Sequence, residues 1–163
     1  MTTITDSTQL RQKRINTYYS SKLKKYKAIP KGLSAATTGT RLSNFKKFVD
    51  LFFYKKVKST GVTKLLATSK GYLAFKRYAQ TSYGSAVIKE MITNTKNFKG
   101  FLIAQGSGNE ARAGDGILLL PKNFPTKTHF PVGGQKIFDL AIIHHEMAHT
   151  EVYYLRIVAG KRL

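Results

Sequence analysis

Two kinds of hydrophobic pattern divide this chain. Up to about residue 95 the apolar positions recur at helical spacing, and beyond it come two short unbroken apolar runs and then one long, almost wholly apolar segment. Ile15, Tyr18, Tyr19 and Leu23 predict a helix from Leu10 to Lys27, stopped at Pro30-Lys31-Gly32 and followed by a small-residue linker from Ser34 to Thr40. Phe45, Phe48, Val49, Phe52 and Phe53 form a stripe that predicts a helix from Asn44 to about Lys58, with Ser43 as its N-cap. Leu65, Leu66, Leu73, Phe75 and Tyr78 extend the pattern over Val62 to Tyr78, with Gly71 as a weak point inside. A short helix is expected from Ala86 to Thr95, with Val87, Ile88, Met91 and Ile92 inward.

Phe101–Ala104 and Ile117–Leu120 are too short and too uniformly apolar for surface helices, and they read as two strands of a hairpin. The glycine-rich stretch from Gly106 to Gly116 is their turn or flap. It lacks the Gly-Lys-Ser/Thr of a phosphate loop, so a nucleotide site is rejected. A loop carrying His129 follows, with prolines at 125 and 131. From Gln135 to about Gly160 apolar residues run nearly all round a long helix, as for one buried centrally in its domain.

The predicted fold class is therefore α+β, in a single domain of 163 residues. Residues 1–80 form a basic helical part and residues 82–163 a part with a short helix, a hairpin and a long helix. Cysteine is absent, which excludes disulfides, thiolate metal sites and a cysteine nucleophile. No apolar run reaches membrane-spanning length, and the polar first residues do not form a cleavable signal peptide. The expected location is secreted or delivered into a target cell by another route, otherwise cytoplasmic.

The net charge of +20 is uneven. Lys and Arg outnumber Asp and Glu 18 to 2 in residues 1–80, and 10 to 6 in residues 81–163. Such a basic half points to an acidic partner: nucleic acid, an anionic membrane or a cell wall. Tyrosines interleaved with lysines over residues 10–27 suit stacking on bases as well as packing inward.

The chemistry concentrates in His145-Glu146-Met147-Ala148-His149. On a helix the two histidines lie one turn apart, so both imidazoles can reach one metal ion, while Glu146 points to the side of that site. For four His and four Glu in this length, chance would produce the pattern about 0.002 times per chain. A polar cluster inside so apolar a helix is costly unless its groups are satisfied, and a bound metal satisfies them.

With this motif the chain resembles the zincin metallopeptidases, over about residues 82–160, and among them the small effector and toxin peptidases that bacteria inject into other cells. The resemblance implies a zinc ion held by His145 and His149, with Glu146 as general base on the attacking water and proton donor to the leaving amine. It implies an extended substrate paired with an edge strand, Ile117–Leu120 or Phe101–Ala104. A catalytic zinc takes three protein ligands. Val152 and Leu155 exclude the longer metzincin motif, and Glu151, about 200° round the helix from His149, faces away. The third ligand is therefore sought upstream, in His129, Asp139 or Asp115, with Asp139 equally suited to orient an imidazole. Tyr153 and Arg156 fall on the zinc-facing side as candidate oxyanion donors; His144 lies on the opposite face. The implied activity is a zinc endopeptidase acting as an effector or toxin, whose partners are a protein substrate and a carrier or immunity protein. The same chemistry would serve a peptidoglycan amide. The contrasting expectation is a non-enzymatic nucleic-acid- or membrane-binding protein in which the motif is fortuitous.

Overall fold

The computed structural model describes residues 33–55, 61–94, 98, 100–108, 111–114, 116–122, 124 and 135–158. The predicted helix over Leu10–Lys27, the loop with His129, Asp115 and the chain end at Gly160 lie outside them. Four helices and a four-stranded mixed sheet make an α+β fold: α1 (Arg41–Phe52), β1 (Val62–Thr63), α2 (Lys70–Gln80), α3 (Ser82–Thr93), β2 (Leu102–Gly106), β3 (Arg112–Gly114), β4 (Ile117–Leu120) and α4 (Gln135–Val158).

The helix boundaries follow the caps rather than the apolar stripes. A single 3-10 turn, Thr38–Thr40, leads into α1, which starts at Arg41, three residues before the predicted start. Ser43 does not cap it, because its hydroxyl donates back to the Thr40 carbonyl. Val62–Tyr78 is not one helix. Val62 and Thr63 form a strand, and α2 begins only at Lys70, where Ser69 accepts the Tyr72 amide. Thr81 likewise caps α3 through the Gly84 amide, so α3 starts at Ser82 rather than Ala86. At this α2–α3 corner a Cβ on Gly84 would run into the Tyr78 carbonyl, so only glycine fits.

The aromatic stripe of α1 is core. Phe48 sits among Phe52, Phe53 and Phe75, and Phe52 meets Phe98 and Phe101, which flank the start of β2. Phe48 is fully buried, so truncation to Ala would cost about 3–5 kcal/mol. Just past α1, the Tyr54 amide donates to the Ile103 carbonyl and ties the helix to the sheet.

The predicted hairpin is corrected by the sheet. β2 and β4 pair in parallel, Ile103 opposite Leu118, and the strand order is β1-β2-β4-β3. The glycine-rich flap is not only a turn, since it carries β3, which lies antiparallel to β4 with Ala113 opposite Leu118. Two unbroken apolar runs each need neighbours on both sides, and they take the two interior positions. The short Arg112-Ala113-Gly114 strand goes to the edge. Gly116, at φ +89°, makes the turn from β3 into β4.

Helix α4 packs on α2, α3 and β3. Among the described residues no helix is long and apolar enough to cross a membrane.

Candidate metal centre on the fourth helix

Most of α4 is covered. Ala141, Ile142, Ile143, Met147 and Tyr154 enter the core, and a ridge of His145, His149 and Val152 reaches solvent. The two motif histidines, one turn apart, bring their Nε2 atoms within 3.3 Å, with ring planes at 81°. A tetrahedral zinc with Zn–N bonds of 2.0–2.1 Å holds two imidazole nitrogens about 3.3–3.4 Å apart, so this spacing fits a shared metal. Among the described residues no third His, Cys, Asp or Glu completes the group. Of the upstream candidates, His129 and Asp115 lie outside the described residues.

Asp139 is described, and it is engaged elsewhere. Its carboxylate is buried and accepts from the Arg77 guanidinium of α2 at 3.2 Å. Through this contact it ties α4 to α2.

Glu146, next to His145 along the helix, is only 6 % exposed. Its carboxylate has no hydrogen-bond donor among the described residues, and burial pushes its pKa up to about 7. A carboxyl so placed exchanges a proton near neutrality, as a general base requires. Its neighbour His144 faces the core, edge-on to Tyr78 and Tyr83 at 4.8 and 5.5 Å between ring centres. Burial lowers its pKa to about 4 and keeps it neutral. Glu151 points to α3, where the Tyr83 hydroxyl lies 2.9 Å from both carboxylate oxygens.

Tyr153 stands one turn beyond His149 on the same ridge. It is half-buried against Phe98, with its hydroxyl beside Gly116 at the β3–β4 turn. The Arg156 side chain lies outside the described ones. The strands suggested to receive substrate, Ile117–Leu120 and Phe101–Ala104, have no free edge, because β4 and β2 are both interior. The sheet edge that packs on α4 is β3.

Sequence patterns missed two residues that shape this helix, Arg77 and Tyr83, and read Tyr78 only as part of an apolar stripe. All come from other helices, and only Arg77, as a cation within an otherwise inward-facing stretch of α2, carried a signal. No protein-family model, curated protein or solved structure matches this chain.

Proposed function

We propose that this protein is a zinc-dependent hydrolase, an endopeptidase acting as a delivered bacterial effector or toxin. The observation that carries the reading is a pair of solvent-facing imidazoles whose Nε2 atoms lie 3.3 Å apart, next along the helix to the buried Glu146. His145 and His149 hold the metal in this reading, and His129 supplies the remaining protein ligand. Bound zinc would act as a Lewis acid and lower the pKa of water at the site. Glu146 takes the proton of the attacking water and returns it to the leaving amine, a transfer suited to a carboxyl that titrates near pH 7. Tyr153 donates to the developing oxyanion. A peptide in extended form adds to β3, the outer strand of the sheet that packs on α4.

The charge of +20 favours one variant of this reading, in which the amide cut belongs to peptidoglycan and the basic half docks on an anionic wall. A zinc-loaded preparation incubated with casein and, separately, with peptidoglycan distinguishes the two. Glu146→Gln is expected to retain zinc and lose about 10²–10⁴ of the hydrolytic rate. Full activity in that variant would overturn the role given to Glu146. Cleavage of neither substrate, together with salt-sensitive binding to DNA or anionic vesicles, would favour a non-enzymatic binder.

A further inference from the structure

Away from the motif residues, an open groove of about 500 Å³ lies between α3, the start of α1 and the segment before it. We propose that it is a binding site for a small phosphate-bearing molecule, a function separate from the metal centre. Its polar lining is Thr37, Thr40, Asn44 and Thr93, with Lys47 from α1 and Lys89 from α3 converging from two helices. Among the described residues no carboxylate lines it and neither lysine is ion-paired. Two ammonium groups facing hydroxyl and amide donors complement a phosphate, which carries a charge near −2 and accepts through three oxygens.

The wall is fixed rather than incidental. The Ala36 amide donates to the buried Ser85 hydroxyl of α3, and Arg41 donates to the Ala36 carbonyl and, across the corner, to the Gln80 carbonyl. Lys89 donates to Ser34 at 2.9 Å, which holds its ammonium at the rim with donors to spare. Ala35 and Ile92 add an apolar wall, and the volume lies in the range of small-molecule sites, so an organic group can accompany the phosphate.

The test is a titration of the full chain with inorganic phosphate and with adenosine monophosphate, followed by amide NMR, against chloride at matched ionic strength. Saturable shifts at Thr37, Thr40, Asn44 and Thr93 are expected. They should weaken at least about tenfold in Lys47→Ala/Lys89→Ala and stay unchanged in Lys64→Ala/Lys70→Ala, an exposed pair outside the cavity. Tighter binding of the nucleotide assigns its organic part to the Ile92 wall, and equal binding assigns the site to phosphate alone; both support the proposal. Shifts spread over the basic surface, shifts reproduced by chloride, or equal losses in the two lysine variants would overturn it. Thermal melting without phosphate confirms that each variant is folded.

Discussion

The inner face of α4 and its histidine ridge treat the same kind of group in opposite ways. On the inner face Asp139 accepts from Arg77, and Glu151 faces the Tyr83 hydroxyl through both oxygens. Tyr154, farther along, reaches a Glu90 oxygen at 3.1 Å. Beside the ridge Glu146 is as deeply buried as Asp139, and among the described residues no donor meets its carboxylate. Buried polar groups in native folds are nearly always satisfied. The pairs on the inner face thus join α4 to its neighbours, whereas Glu146 and the two imidazoles make up the candidate centre of the same helix. The inner pairs position α4, and the ridge presents two paired imidazoles to solvent.

Breaking an inner pair should damage the fold most. Arg77→Met removes the guanidinium from the buried Asp139 carboxylate and is expected to cost about 2–3 kcal/mol in urea unfolding at pH 7. A loss below 0.5 kcal/mol, the scatter of ordinary surface changes, would show that the pair does not hold α4 to α2.

The ridge should respond with the opposite sign. For Glu146 the folded pKa of about 7 lies above the ordinary 4.5, so the folded chain binds its proton more tightly than the unfolded one. The stability tied to that proton is complete below pH 4.5 and is lost as pH rises through about 7. Removing the charge with Glu146→Gln is therefore expected to stabilise the metal-free protein at pH 8 by about 2 kcal/mol, after allowance for solvent screening. The gain should fade toward pH 5. A destabilised variant at pH 8 would mean that Glu146 has a structural partner after all.

Smallest is Tyr83→Phe, which removes the hydroxyl facing Glu151. Burial raises the Glu151 pKa to about 7, and the Tyr83 hydrogen bond opposes that rise. Losing the bond should cost about 1 kcal/mol at pH 8 and less at pH 5, where Glu151 is protonated in the fold. A pH-independent cost would show that the Tyr83 hydroxyl does not favour the ionised form of Glu151.

Much of this contrast was legible in the residues, and the misses have physical causes. The long α4 and its His145–His149 pair follow from a period of 3.6 residues, a local property. The starts of α2 and α3 were misplaced because Ser69 and Thr81 cap them from Ser/Thr-rich stretches in which several residues could serve. β3 escaped because three residues, Arg112-Ala113-Gly114, are too few to show alternation. The parallel pairing of β2 with β4 is a non-local choice, made by burial of both apolar runs rather than by the turn between them. Asp139 was offered to the metal because its partner, Arg77, sits 62 residues away on α2.

Zinc stoichiometry, measured by mass spectrometry of the purified protein after dialysis against trace zinc, tests the ridge most directly. About one zinc per chain is expected, falling to near zero in His145→Ala and in His149→Ala while Asp139→Asn keeps it. A folded wild-type protein that retains no zinc, or a zinc content unchanged by loss of either histidine, would contradict the metal centre.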